Sequence, residues 1–318
     1  MKDGGRRQRR PSILSHVKPL TAEDILSEDI LVRQSLMNSL QLCPARVGFE
    51  INQPEEVIPV FGERPVFGTA VHDCAEHHVL DPKGQAKRIR PAEFGLMMER
   101  ILEENYDGSS LDDIPEKEYK KFRREVIEAY RLWVMQVYEH FIKADVKERT
   151  AHVEVPLYLY LGEHLGRRII AHGTPDLTIQ GLRMEDNKTT FAAFKWTQEK
   201  ADTEIQPSLY LAMHNIIYND SITDFVYRIY DRKAEDWDSL HTARTEGEQE
   251  AILKVAFEYG KQIAANVFPP TPIVENYGKR QRGWYCSPKW CGAWNVCSFK
   301  GQINDKTDLT EVAVKSWS

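Results

Sequence analysis

The spacing of hydrophobic residues divides the chain into helical and strand-forming segments. From residue 21 to 40, apolar residues recur close to the helical period, which predicts a helix. A second helix is predicted over residues 68–80, where apolar and small side chains share one face. The charge-rich segment from 91 to 147 contains two more long helical patterns, separated by turn-forming residues. This part of the chain is therefore expected to be helical.

Beyond residue 150 the hydrophobic period changes to that of strands. Val153, Val155 and Leu157 alternate with polar or aromatic residues, as in a strand with one buried face. Segments 168–179 and 182–190 follow across glycine-containing turns, so the three strands are expected to form a meander. The pattern then predicts, in order, a helix over 204–218, a strand over 224–231 and a helix over 246–266. This order of elements predicts an α/β fold.

Composition narrows the class of protein. The 318 residues are 42% hydrophobic and 28% charged, which is ordinary for a globular domain. No stretch approaches the roughly 18 consecutive apolar residues of a membrane span, and no apolar segment of a secretion signal follows the basic first residues. We therefore expect neither membrane insertion nor secretion.

The net charge of −6 conceals a basic start of the chain. Residues 1–10 carry a net charge of +4, so the other 308 residues carry −10. A local basic groove would still allow the protein to bind nucleic acid. We interpret residues 1–20 as a disordered basic arm, with contact to phosphate groups as the alternative, and residues 301–318 as a tail.

Four short patterns of polar residues fall on the predicted elements in a fixed order. They are Gly68 with His72 in a helix, Gly173 with Asp176 in the second strand, Asp186 with Lys188 in the third strand, and Gln206 with Tyr210 in the next helix. Residues two apart on a strand point to the same face of the sheet, and residues four apart on a helix share one face. The side chains within each of the last two patterns therefore act in the same place.

These residue types suit a divalent cation. Carboxylates on adjacent strands, Asp176 and Asp186, provide the oxygen ligands that magnesium prefers, and an imidazole such as His72 also suits manganese. Such a cation activates water and neutralises the charge that builds on a phosphoryl oxygen. Lys188 is placed to orient that water or to stabilise the phosphate. The glutamine and tyrosine of the next helix would hold a nucleic-acid backbone or the water network.

Each pattern also has an ordinary structural interpretation. An aspartate after proline commonly belongs to a turn, an Asp-x-Lys pair on an exposed strand is a weak surface ion pair, and a helical histidine beside an aspartate is often a surface residue. The order and spacing of all four patterns favour one shared site over four coincidences.

Together the patterns resemble the PD-(D/E)XK nucleases, and within them the RecB-like branch, which includes the nuclease domains of RecBCD and AddAB and CRISPR-associated exonucleases. The resemblance implies an α/β, restriction-endonuclease-like core of helix, three-strand meander, helix and strand, with flanking helices. This nuclease domain would cover residues 21–300, with residues of about 83–147 as a helical insert.

The resemblance implies a role for each polar residue. His72, Asp176 and Asp186 would bind magnesium or manganese. Asp176, Asp186 and Lys188 would act in catalysis. Gln206, Tyr210 and Glu154, the glutamate ahead of the meander, would support it.

The five cysteines indicate a second metal centre. Cys286, Cys291 and Cys297 lie within twelve residues, Cys43 lies far upstream, and Cys74 is left over. Three neighbouring thiols and one distant thiol provide the four ligands that zinc or an iron-sulfur cluster needs. The spacings of four and five residues differ from the Cys-x-x-Cys of common zinc sites, which makes zinc the less favoured occupant. Unrelated buried thiols are the alternative.

The order of the cysteines is similar to that in AddB-type and CRISPR-associated nucleases, in which one cysteine precedes the nuclease core and three follow it. The resemblance implies a structural 4Fe-4S cluster bound by Cys43 and the cysteine-rich segment 284–300. Such a cluster would tie the two ends of the nuclease domain together.

These observations lead to one expected function and two alternatives. We expect a metal-dependent DNA exonuclease that acts on single-stranded or frayed ends in the cytoplasm of a bacterium or a phage-infected cell. The alternatives are a DNA-end-binding or helicase-partner module without catalysis, and a zinc-containing scaffold. The sequence has no Gly-x-x-x-x-Gly-Lys motif, so unwinding would come from a separate helicase or recombination partner. CRISPR adaptation, phage recombination and repair stay open as pathways, as does the oligomeric state.

Overall fold

The computed structural model describes residues 16–57, 63–105, 114–191, 196–270, 274–276, 279–281, 286–287 and 291–299. The helices in these residues are α1 (Gln34–Leu42), α2 (Pro44–Asn52), α3 (Glu63–Leu80), α4 (Pro82–Arg88), α5 (Pro91–Asn105), α6 (Glu116–Trp133), α7 (Asp145–Glu148), α8 (Gln198–Thr203), α9 (Ile205–Tyr218) and α10 (Glu246–Ala264). The strands are β1 (Lys18–Leu20), β2 (Ile30–Val32), β3 (Ala151–Val153), β4 (Leu157–His164), β5 (Arg167–Gly173), β6 (Leu177–Ile179), β7 (Arg183–Thr190), β8 (Asp224–Asp231), β9 (Asp236–Ala243), β10 (Val274–Asn276) and β11 (Lys279–Gln281). A π-helical segment, Val134–Ile142, continues α6.

The described strands form two mixed sheets and a hairpin. Their orders are β3-β6-β7-β8-β9, β1-β4-β5-β2 and β10-β11. Neighbouring strands are antiparallel except for β7 with β8 and β2 with β5, which are parallel. The parallel pair β7 and β8 is connected through α8 and α9. The predicted α/β core of helix, meander, helix and strand is therefore confirmed.

The meander bends where the two sheets part. The predicted strand that starts near residue 153 is divided into β3 and β4, and the one that starts near residue 168 into β5 and β6. As a result, β3 and β6 belong to one sheet, and β4 and β5 to the other. At the bend, the Glu154 N–H donates a hydrogen bond to the Asp176 carbonyl oxygen at 3.1 Å. Glu154 has a φ of +46°, a left-handed conformation that is uncommon for residues other than glycine. The bend brings both acids to the boundary between the sheets.

The amino-terminal part of the domain differs from the prediction. The predicted helix over residues 21–40 is wrong as far as Arg33: Ile30 and Val32 are buried in β2, and α1 begins only at Gln34. Strand pairing decides this conformation, because β2 lies parallel to β5, far away in the sequence. Lys18–Leu20, which were predicted to belong to the disordered arm, instead pair with β4. Residues 1–15 and the tail 301–318 lie outside the described residues.

The helical insert and the carboxyl-terminal helices cover different parts of the sheets. Phe67 of α3 packs with Met98 of α5 and Trp133 of α6 in a core that also includes β6. The helices α9 and α10 cover the four-stranded sheet in a second core, to which Leu209 and Ala256 belong. Among the described helices, none has the length and apolar character to cross a bilayer.

Two glycines let helices approach strands closely. A Cβ atom at Gly260 of α10 would collide with the Ile169 side chain of β5, and a Cβ at Gly68 of α3 would lie 3.0 Å from Thr189 Oγ1 of β7. The second contact holds α3, which carries His72, against β7.

We predict opposite effects for the same substitution at two positions of α10. Gly260→Ala should destabilise the protein by about 1–3 kcal/mol, because the new methyl group overpacks the contact with Ile169. Gly247→Ala is the matched control, since its Cβ would meet nothing closer than Thr245 Oγ1 at 4.0 Å. There the gain in helix propensity should leave stability unchanged or raised by up to about 1 kcal/mol. Urea unfolding measures both; equal effects would contradict this packing.

Candidate active site

Strand β7 carries the aspartate and lysine of the third pattern on one face of the five-stranded sheet. Asp186 is only 2% exposed. Its Oδ1 accepts a hydrogen bond from Gln206 Nε2 at 2.6 Å, and its Oδ2 forms an ion pair with Lys188 Nζ. The carboxylate is therefore held from two sides.

Asp176 follows β5 at the bend of the meander and lies beside β7. Its Oδ2 accepts a hydrogen bond from the Asn187 N–H at 2.6 Å and lies 3.3 Å from His72 Nδ1 of α3. Burial raises the pKa of Asp176 to about 6, and the nearby Asp186 adds to the rise, while His72 and Lys188 oppose it. The structure thus brings together the two acids, the histidine and the lysine that the sequence predicted.

Helix α9 places the glutamine and tyrosine of the fourth pattern over these acids. It has Pro207 in its first turn and ends at Asn219 in the left-handed conformation, a common helix end. The ring of Tyr210 packs on Gly173, where any Cβ would collide with it. Burial raises the pKa of Tyr210, and Asp186 raises it further, so the hydroxyl keeps its proton.

Lys188 keeps its charge in spite of burial. Burial alone would lower the pKa of this ammonium group, but the carboxylates of Asp186 and Asp176 outweigh that effect, and the pKa is raised. A positive charge is thus fixed beside the two acids.

A cavity of about 310 Å³, counted with its opening to solvent, adjoins Asp176. Its polar lining includes His72, Glu76 and Glu154, and from β7 it includes Glu185 and Asn187, which lie on the face opposite to Asp186. Burial raises the pKa of Glu154 to about 8, and the carboxylates of Glu76 and Asp176 add to the rise. Glu154, predicted from the resemblance alone, therefore faces the same acidic region as Asp176.

The donor set fits a hard divalent cation. Burial raises the pKa values of Asp176 and Glu154, and the neighbouring carboxylates raise them further, so a bound cation would compensate charge that is disfavoured here. Carboxylate oxygens with one imidazole are ligands that suit magnesium or manganese. His72, Asp176 and Asp186 stay a predicted ligand set, because the group whose ligand atoms all lie within 4.8 Å of one another among the described residues is a different one on α3.

Another acidic group lies on α3, beginning at the residue after His72, and was missed by sequence reasoning. Asp73, Glu76 and His77 place one ligand atom each within 4.8 Å of one another. Glu76 and His77 are three and four residues from Asp73, so the three share one helical face, which is the signal that could have found them. Asp73 is already paired with Arg88 and Arg100, so this group is the weaker candidate for a cation.

The opposite face of β7 holds a second buried charge. Glu185 is 2% exposed and Arg228 of β8 is 1% exposed. Arg228 donates to Glu185 from Nε at 2.7 Å and from Nη2 at 3.0 Å, and Arg183 Nε donates at 2.5 Å. Arg183 and Glu185 interrupt the apolar run expected of a buried strand, and this pairing explains how the strand is buried nevertheless.

Four cysteines line a second pocket, of about 550 Å³ counted with its opening. They are Cys43, between α1 and α2, and Cys286, Cys291 and Cys297. Burial raises the pKa of the Cys291 thiol to about 11, and Cys43 and Cys286 add to the rise. Cys74 lies elsewhere, buried in α3, where burial raises its pKa to about 12. The fifth cysteine is thus separate, as predicted.

We predict that neutralising Asp176 stabilises the protein without metal. Asp176→Asn removes a charge that burial and Asp186 disfavour, so in EDTA at pH 8 its thermal midpoint should rise by about 2–6 °C. Manganese should raise the midpoint of the wild type but not that of the variant, because only the wild type keeps the ligand. A less stable variant with an unchanged manganese shift would contradict this site.

The chain matches a nuclease family over most of its length. Residues 34–298 match the model of the PD-(D/E)XK nuclease superfamily. Among solved structures, the chain is similar to a protein from Eubacterium rectale named "Putative exonuclease", with a TM-score of 0.44, 12% sequence identity, and coverage of 79% of this chain and 88% of that chain. It is also similar to a protein named SSO0001, with a TM-score of 0.39, 12% identity, and coverage of 87% and 91%. No curated protein matches the chain. Because the family match includes every element of the site, the chain belongs to the PD-(D/E)XK nuclease superfamily.

Proposed function

We propose that this protein is a metal-dependent DNA exonuclease of the RecB-like branch of the superfamily. The observation that carries the proposal is the ion pair of buried Asp186 with half-buried Lys188, held by Gln206 and placed beside Asp176. Burying several charges at one place costs folding free energy, and functional sites are where proteins retain such costs.

The residues of the site divide the work of phosphodiester hydrolysis. The reaction joins a water oxygen to phosphorus, breaks the bond to the leaving oxygen, and moves one proton from water to that oxygen. Magnesium or manganese bound by His72, Asp176 and Asp186 would supply Lewis-acid stabilisation of the phosphoryl oxygens. Lys188 carries a fixed positive charge that stabilises the phosphate as negative charge builds on it. Gln206 keeps Asp186 in its orientation.

The substrate and setting follow from the resemblance to end-processing nucleases. We propose that single-stranded or frayed DNA ends are degraded in the cytoplasm of a bacterium or an infected cell, with unwinding by a separate helicase or recombination partner. The protonated hydroxyl of Tyr210, beside Asp186, provides a donor for a backbone phosphate.

We also propose that Cys43, Cys286, Cys291 and Cys297 bind a 4Fe-4S cluster. The support is that these four thiols, one that precedes the nuclease core and three that follow it, line a single pocket. Four cysteine ligands are the usual set for such a cluster. The cluster would act structurally, by joining the segment around α1 and α2 to the carboxyl-terminal segment.

Removing either member of the pair of Asp186 and Lys188 should abolish cleavage. We expect Asp186→Asn and Lys188→Met to lose about 100- to 1,000-fold or more in activity, because each removes charge needed at the reacting phosphate. The assay follows end-labelled single- and double-stranded DNA with magnesium or manganese. Asp224→Ala is the control, since Asp224 is an exposed acid on the neighbouring strand β8. Retained cleavage in Asp186→Asn would show that the site is misplaced.

Loss of one cluster ligand should affect iron and folding together. Cys291→Ser should lower the iron content, the absorbance near about 400 nm and the yield of folded protein. Cys74→Ala is the matched control and should keep all the iron, because Cys74 lies in α3, away from the pocket. Anaerobically purified wild type that is colourless and contains zinc would rule out the iron-sulfur cluster.

A further inference from the structure

A buried arginine connects helix α9 to the sheet that carries the site. Arg244 directly follows β9 and is only 4% exposed. Arginine is rarely buried to this degree unless a carboxylate pairs with it. Within the described residues, Arg244 forms no ion pair, and its guanidinium group binds uncharged oxygen atoms instead. Burying a charge without a counter-charge costs folding free energy, so these contacts need a reason.

All five N–H donors of this guanidinium group have an acceptor. The acceptors lie on β9, on α8 and around the start of α9. Nε donates to Ser208 Oγ at 3.1 Å, Nη1 donates to Thr242 Oγ1 and to the Ala243 carbonyl oxygen, and Nη2 donates to the carbonyl oxygens of Ala201 and Glu204 at 3.0 and 3.1 Å. Since no donor is left for a substrate, the role of Arg244 lies in the elements that it joins.

Two of these acceptors lie on either side of Gln206. Glu204 precedes the first residue of α9, and Ser208 lies in the first turn of this helix. Between them, Gln206 Nε2 donates a hydrogen bond to Asp186 Oδ1 at 2.6 Å. Arg244 therefore fixes the chain on both sides of Gln206, and Gln206 in turn orients the carboxylate of Asp186.

The start of α9 depends on this arginine because the usual helix cap is missing. Helices commonly begin at a residue whose side chain accepts a hydrogen bond from the first turn. Glu204 stands at that position, and its side chain forms no such bond. Arg244 instead ties the first turn to β9, which belongs to the same five-stranded sheet as β7. The helix that carries Gln206 and the strand that carries Asp186 are thus held in one frame.

We propose that Arg244 is a positioning residue of the nuclease reaction, which acts on Asp186 through Gln206. Its contacts hold the Asp186 carboxylate in the orientation that the predicted cation and the reacting phosphate need. Functional sites are where proteins retain the cost of such a buried charge. The inference rests on the proposed function and adds to it a residue outside the four sequence patterns.

A double-mutant cycle tests this role. The variants Arg244→Met and Gln206→Ala, alone and combined, are compared in cleavage of end-labelled linear single-stranded DNA with manganese, well below the thermal midpoint of every variant. Arg244→Met should lower kcat by about 10- to 100-fold, as expected for a misplaced reacting group. KM should change by less than about twofold, because Arg244 has no donor free for DNA. When Gln206 is already alanine, the same substitution should lower kcat by less than about twofold more.

Two further variants separate positioning from folding. Ser208→Ala removes only the acceptor of Arg244 Nε, so it should show the same pattern with a smaller loss of kcat and decides the question if Arg244→Met does not fold. Arg168→Met is the matched control, because Arg168 of β5 binds Asp29 and the Asp24 carbonyl oxygen. It should lower the thermal midpoint and leave kcat unchanged.

Each outcome decides the inference. An unchanged kcat in Arg244→Met and Ser208→Ala, with a lowered thermal midpoint, would show that the arginine only stabilises the fold and would overturn the inference alone. An equal fold-loss from Arg244→Met in the wild type and in Gln206→Ala would also overturn it, because the arginine would then act independently of the glutamine. If the wild type cleaves no DNA with manganese, the proposed function fails and the inference fails with it.

Discussion

The structure depends on pairing the charged side chains that strand β7 buries on both of its faces. On one face, Asp186 lies between Lys188 and Gln206; on the other, Glu185 is held by Arg228. An unpaired charge at either position would cost several kcal/mol, about 3–5 by analogy with broken buried pairs. The pairing therefore fixes α9 and β8 relative to β7. The interactions that hold the central strand also hold the site.

The other elements bring chemistry to this strand from distant parts of the chain. The bend of the meander delivers Asp176 and Glu154, and the close contact of Gly68 with Thr189 delivers His72 on α3. The insert adds a core of its own against α3 and so keeps that helix in place. The cysteine pocket lies apart from these acids, which fits a structural role for any cluster bound there.

The sequence predicted the parts of the site whose residue types are dictated by chemistry. The carboxylates, imidazole and lysine at fixed spacing predicted that β7, α3 and α9 carry the site. The structure explains Gly68 and Gly173 by their close approach to Thr189 and Tyr210. Pairing between distant segments was not predictable from local pattern. Helical spacing around residue 30 was overruled by the pairing of β2 with β5, and the partner of Glu185 became evident only once β8 lay beside β7.

Metal-dependent exonuclease action is tested most directly by comparing circular and linear forms of one single-stranded DNA. With manganese, the wild type should degrade the linear form to short products and leave the circle intact, and in EDTA it should degrade neither. Cutting of the circle would contradict exonuclease action. Degradation in EDTA, or no degradation of either form with manganese, would contradict the metal-dependent nuclease itself.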